Sequence, residues 1–126
     1  MSMIDTPLMR GLERVLDVSA LRHQIIAANL ANIDTPGYRT RDLRPFAGEI
    51  ERAMAGGESS LTGQSFTPIA HEIRGLLERP DGNNVSVERE SLLLAQNQLR
   101  FQVAVQFMKA EFHRMSLAIT GGGTTP

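Results

Sequence analysis

From residue 87 to residue 119 one set of positions steps by four and three residues in strict alternation. They are Val87, Ser91, Leu94, Gln98, Phe101, Val105, Met108, Phe112, Met115 and Ile119. A period of 3.5 residues is the signature of a helix with a heptad seam. Leu92, Ala95, Leu99 and Val103 widen the apolar face beside it. Ser86 suits the N-cap, with Glu88 and Glu90 near the positive end of the helix, and "GGG" at 121–123 stops it. A helix over these residues would be a rod of roughly 50 Å.

The other end of the chain carries a shorter version of the pattern. Thr6 suits a cap and Pro7 the first helical position. The seam then follows Leu8, Leu12, Leu16, Ser19, His23, Ile26, Leu30 and Ile33, alternating four and three from Leu12 onward. Val18, Leu21, Ile25 and Ala28 form a second strip. Pro36 disfavours helical geometry at Thr35. "TPGY" at 35–38 therefore reads as a type II turn with Pro36 and Gly37 at its centre. "DGNN" at 81–84 reads as a second tight turn, where Gly82 and the asparagines tolerate left-handed geometry.

The middle lacks this periodicity. A short helix is expected at 47–55, a flexible stretch at "GGESSLTGQS" and an extended one at "FTPIA". Nothing there makes a second core, and the connection is long for a compact domain. The expected fold is all-α: two long N- and C-terminal amphipathic helices packed in a coiled-coil-like hairpin or bundle. The expected division is a helical segment 1–36, a turn and flexible middle segment 37–83, and a helix and tail 84–126.

Composition excludes several functions. The chain has 126 residues, 13 Lys plus Arg and 14 Asp plus Glu, and no cysteine. Near neutrality gives no electrostatic case for nucleic acid or an anionic membrane. Arg39, Arg41 and Arg44 in "YRTRDLR" make too small a basic footprint for a nucleic-acid site and suit an interface loop. Without cysteine there are no disulfides, thiolate nucleophiles or cysteine-bound metals. No run approaches the ~18 apolar residues of a membrane span, and "MSMIDTPLMRGLERVLDV" lacks the parts of a cleaved signal peptide. His23, His71 and His113 are not spaced as a metal pair. "DGNN" fails as a calcium loop, because the sixth and twelfth positions from Asp81 hold Ser86 and Leu92. There is no phosphate loop and no nucleophile elbow. The expectation is no cofactor, no metal site and no enzyme.

Two helices enclose little volume, and their apolar faces are broad. Leu93 and Phe107 even lie off the second seam. Surplus apolar surface marks a contact with another protein, and the polar seam positions Ser19, His23, Ser91 and Gln98 can set register. The residues alone thus describe a self-associating or hetero-associating structural protein. A small cytosolic helical adaptor or chaperone is the alternative. The expected assembly face is Leu12, Leu16, Ile26 and Leu30 on the first helix. On the second it is Leu94, Phe101, Val105, Met108 and Phe112.

Two stretches carry a family resemblance. "LRHQIIAANLANIDTPGYRTRDLRPF", 21–46, resembles the N-terminal signature of bacterial flagellar rod and hook proteins, whose kernel is N-x-A-N-x-x-T-P-G-Y. Asn29, Ala31, Asn32, Thr35, Pro36, Gly37 and Tyr38 fill it. "DGNNVSVERESLLLAQNQLRFQVAVQFM", 81–108, resembles the FlgB family of proximal rod proteins. There an acidic-Gly-Asn-Asn turn leads into a helix with an Asn-Gln-x-x-aromatic stretch, here Asp81, Gly82, Asn83 and Asn84, then Asn97, Gln98 and Phe101. The sister family FlgC shares the first signature and is the second reading. The resemblance implies a subunit of the proximal rod, which transmits torque. It implies export from the cytoplasm without a cleaved signal, and a place in the periplasmic basal body. It also implies partners among other rod subunits and at the inner-membrane ring and export apparatus, together with self-association.

Overall fold

The computed structural model describes residues 6–43 and 69–121. The expected helix at 47–55 and the "GGESSLTGQS" stretch lie outside the described residues. Helix α1 spans Pro7–Ala31 and helix α2 spans Val87–Ile119. Between them, strand β1, Arg41–Leu43, pairs antiparallel with strand β2, Ala70–Glu72. Two long packed helices are the architecture that the periodicity predicts. The short strand pair is an addition that periodicity does not show.

The helix starts follow their capping residues. The Thr6 hydroxyl accepts from Met9 N–H at 3.1 Å, with Pro7 in the first turn, and the Ser86 hydroxyl accepts from Arg89 N–H at 3.2 Å. Each cap satisfies one of the amide donors that a helix start leaves over. Glu88 and Glu90 lie in the first turn of α2. Helix α1 ends at Ala31, not Ile33, with Asn32 as its C-cap. Thr120 caps α2, and Gly121 follows with φ +84.

The helices lie antiparallel. Met9 and Leu12 pack with Met115 and Met108 at one end, Val15 packs on Ala104 midway, and Asn29 bonds Glu90 at the other end. The buried seam of α1 is Leu12, Val15, Ser19, Arg22, Ile26 and Asn29. Its steps alternate three and four. One column, Leu12, Ser19 and Ile26, is the expected one. The other is Val15, Arg22 and Asn29 in place of Leu16, His23 and Leu30, one residue earlier. Helix α2 differs in the same sense. Glu90, Asn97, Ala104 and Glu111 are buried where Ser91, Gln98, Val105 and Phe112 were expected. The cause is physical. Apolarity alone ranks Arg22, Asn29, Glu90 and Asn97 as outward residues, but each has a partner inside the chain that removes most of the cost of burial.

A third cluster forms where Val18, with Leu21 and Ile25 beside it, covers Leu43 of β1. The second apolar strip of α1 therefore faces the strand pair. Val18 and Ile26 are almost wholly buried, and full burial of one such side chain stabilises by about 1.5–3 kcal/mol. This packing holds the chain just after α1 against the helix pair and sets up the site below.

Candidate functional site: a polar clamp between the two motifs

The turn at the end of α1 and the turn before α2 dock on each other through backbone and amide groups. Tyr38 N–H closes the first turn on Thr35 C=O at 3.2 Å, and Gly37 has φ +75. Proline fixes negative φ at Pro36, so the turn is type II, as its sequence predicts. Gly37 N–H donates to Asp81 C=O at 2.8 Å, and Asn84 N–H donates to Tyr38 C=O at 3.3 Å. Gly82 has φ +86, and a Cβ there would stand 3.4 Å from the Gly37 Cα. Both glycines are thus needed, for their backbone angles and for the approach of one turn to the other.

Asn83 is the centre of the clamp and has no exposed surface. Its Nδ2 group reaches three carbonyl oxygens in the turn just after α1: Asn32 at 2.9 Å, Ile33 at 3.0 Å and Thr35 at 2.9 Å. Its Oδ1 accepts from Val85 N–H at 2.8 Å, and its own N–H donates to Asp81 Oδ1 at 3.0 Å. One amide from the second motif therefore pins the turn that leaves the first helix, whose own last carbonyls are taken by the Asn32 N–H and side chain. Arg79 also donates to Ile33 C=O.

Asn29 is the matching residue on α1. Its Nδ2 donates to Arg41 C=O at 2.8 Å and to Glu90 Oε2 at 3.1 Å. Its Oδ1 accepts from Tyr38 Oη and from Arg41 N–H, both at 3.1 Å. All four bonding positions of the amide are filled, which is what makes its complete burial tolerable. Asn84 Oδ1 accepts from Thr40 N–H at 2.7 Å, and Thr40 Oγ1 donates to Asn84 C=O at 3.2 Å. Asn32 folds back to Ala28 C=O and accepts from Thr35 Oγ1. Ala31 and Pro36 stay exposed and shape the turn without joining the network.

A buried line of charge runs beside the amides. Arg22 grips Asp42 with two bonds, Nε to Oδ1 at 3.0 Å and Nη2 to Oδ2 at 2.9 Å. Arg89 lies 3.8 Å from the same Asp42 and 2.7 Å from Glu90. The order is Arg22, Asp42, Arg89, Glu90, with alternating sign, joining α1, β1 and α2. Sequence reasoning missed Arg22, Asp42, Arg89 and Thr40, and read Glu90 only as a charge near the start of the second helix. The available signal was a set of opposite charges one column from each apolar seam. At the rim, Arg39 holds Glu72 at 3.0 Å and Glu78 at 3.2 Å, and these bonds raise its pKa. Near the far end of α2, Arg114 pairs with Glu111 and lowers the pKa of that carboxyl.

The clamp's buried amides are turned on one another, and no group of His, Asp and Glu among the described residues could hold a metal ion. No helix among them is long and apolar enough to cross a membrane. Of the expected assembly face, Leu12 and Ile26 are closed inside the chain, which corrects their role to intramolecular packing. Leu16, Leu30, Leu94, Val105 and Met108 are half-buried at its edges. Phe101 and Phe112 are 40% and 44% exposed.

The family model of flagella basal body rod proteins matches residues 19–39, the end of α1 and the first turn of the clamp. Similarity to whole proteins extends much further. Over 130 residues the chain is 30% identical to the flagellar basal body rod protein FlgB of Salmonella typhimurium, covering 90% of this chain and 94% of that protein. The chain belongs to the FlgB family. The FlgB protein of Escherichia coli is 29% identical over the same shares. That of Bacillus subtilis is 28% identical over 90% of this chain and 93% of its own length. The FlgC reading gives way to this full-length FlgB similarity.

The clamp supplies a stability test on this FlgB-family chain. Gly37→Val should destabilise the fold by about 1–2 kcal/mol, because a side chain resists left-handed backbone geometry. No neighbour lies within 4 Å of the new Cβ, so the cost is backbone strain rather than collision. Arg41→Ala should stay within about 0.5 kcal/mol, since the clamp uses its backbone and its side chain is exposed. Denaturant titration of both variants checks the order.

Proposed function

We propose that the chain is a structural subunit of the proximal flagellar rod, working as a rigid helical hairpin that carries torque without chemistry. The observation that supports it best is the clamp. It fixes the end of one long helix to the start of the other through buried amides, while apolar surface remains on the outside of α2. A torque-bearing part needs a stiff joint and free packing surfaces, and this chain has both. The expected division into a helical segment 1–36, a middle segment 37–83 and a helix with tail 84–126 fits that use.

On this reading the chain leaves the cytoplasm through the flagellar export route without a cleaved signal and takes its place in the periplasmic rod. Its partners are other rod subunits and the junction with the inner-membrane ring and export apparatus. Phe101, Val105 and Phe112, at the exposed edge of the α2 seam, meet a neighbour there. Purified basal bodies test the proposal. The chain should remain with the rod fraction after the filament and hook are stripped. Recovery from the soluble cytosol alone would overturn the rod assignment in favour of an adaptor.

A further inference from the structure

Helix α2 carries a second apolar row. Leu92, Leu99, Val103 and Leu117 fall on one four-and-three seam, with Gln96, Gln106, Ala110 and His113 between them and Phe107 beside it; all five apolar residues are exposed, Leu99 by 62% and Phe107 by 59%. The row is turned away from α1. At 3.6 residues per turn, Leu92 points about 160° from Glu90, and Leu99 likewise from Asn97. Glu90 and Asn97 are buried against α1. Large apolar side chains facing water along one side of a helix mark a contact surface.

The outer face of α1 has the opposite character. Glu13, Asp17, Ala20, Gln24, Ala27 and Ala31 alternate by four and three, and every one is exposed. The row is acidic at one end, small and flat at the other, and has no large apolar side chain. Arg100 and Lys109 put positive charge beside the α2 ridge. A ridge with basic borders therefore matches a flat track with an acidic end, and both belong to the same chain.

We propose that the outer ridge of α2 docks onto the outer face of α1 of a second copy of this chain, standing beside it in the same orientation. For a neighbour with no axial shift, the packing within one copy gives the register. Val15 lies level with Ala104 and Asn29 with Glu90, so Ala20 lies level with Leu99 and Ala27 with Leu92. Each leucine meets an alanine, which allows close approach of the two helices. Glu13 falls within one turn of Lys109, and Asp17 within one turn of Arg100. The two surfaces differ, so the contact is heterologous and repeats around a ring or along a helix instead of closing on a pair. The proposal rests on the rod reading and adds which face of one subunit meets which face of the next.

The chain has no cysteine of its own, so disulfide mapping is clean. The double variant Ala20→Cys/Leu99→Cys is expressed in cells, and basal bodies are purified and oxidised. Within one copy the two positions lie on opposite outer faces, beyond the reach of a disulfide. A ladder of dimers, trimers and longer species is expected, with no cross-link from Leu99→Cys alone. A double variant present in the rod but monomeric on oxidation overturns the proposed surface and leaves the rod reading standing. Dimers from Leu99→Cys alone overturn it in favour of a symmetric contact. Absence of the parent chain from the rod fraction overturns both. In the double-cysteine background, Glu13→Lys should weaken the ladder severalfold and added Lys109→Glu should restore it. Weakening without restoration overturns the register.

Discussion

Replacing Asn83 with alanine should cost about 3–5 kcal/mol, since it leaves the buried Val85 amide unsatisfied at about 1–3 kcal/mol and removes further hydrogen bonds worth about 0.5–1.5 kcal/mol each. The Val85 amide loses its acceptor, and three carbonyls in the turn after α1 each lose one donor. Thr35 N–H still reaches Asn32 C=O, Arg79 still reaches Ile33 C=O and Tyr38 N–H still reaches Thr35 C=O, which keeps the loss below the full sum. A second substitution separates donor loss from cavity formation. Asn83→Asp preserves shape and the acceptor for Val85, but turns a carboxylate towards three carbonyl oxygens. It should be at least as damaging at neutral pH. The folded state disfavours the charged form at that place, which raises the carboxyl's folded pKa above its unfolded value. The added defect should therefore shrink as pH falls through that folded pKa and towards the unfolded one. Denaturant titrations of both variants at neutral and mildly acidic pH give the measurement. If Asn83→Ala loses less than Gly37→Val, the amide is not the centre of the clamp.

The buried charges should give the other large effect. Asp42→Ala leaves Arg22 without its bidentate partner, and breaking a buried pair from one side costs about 3–5 kcal/mol. It also removes the 2.7 Å acceptor of Leu43 N–H. Removing both charges is different. Arg22→Met with Asp42→Leu keeps the site apolar and leaves Arg89 and Glu90 paired at 2.7 Å. The double variant should recover most of the loss, because a hydrophobic replacement spares the desolvation of both ions. A double-mutant cycle by thermal or chemical unfolding reads the coupling. Additive losses would mean that the two side chains do not act as a unit.

The sequence made the helices legible because their caps and period are local. Thr6, Pro7 and Ser86 act within one turn, and the four-and-three spacing survives any choice of partner. The turn at 35–38 was legible for the same reason, since Pro36 and Gly37 dictate their own backbone angles. The role of "DGNN" was not. Read locally, Asn83 and Asn84 look like turn residues that tolerate unusual geometry. Their work is to fill carbonyls and amides some fifty residues away, and no local rule connects those positions. The seam columns failed for a related reason. Apolarity placed Leu16 and Phe112 inward and Arg22 and Glu90 outward, but Asp42 and Asn29 wait for the polar pair inside the fold. The short strand pair is three residues per strand, below the length at which alternation speaks.

The clamp also imposes an order of events. The carbonyls of the turn after α1 find their Asn83 donor 48 to 51 positions further along the chain. A chain delivered from its N-terminus can form α1 early and close its last turn through Asn32, but the turn that follows stays undocked until the second motif has arrived. Closing so long a loop carries an entropy penalty that grows only slowly with length, so the wait is set by delivery more than by the search. The first helix is thus complete while the turn that leaves it is still undocked. That turn becomes a rigid joint when the asparagine turn follows and seats, which makes Asn83 a latch that only a chain reaching the second helix can close.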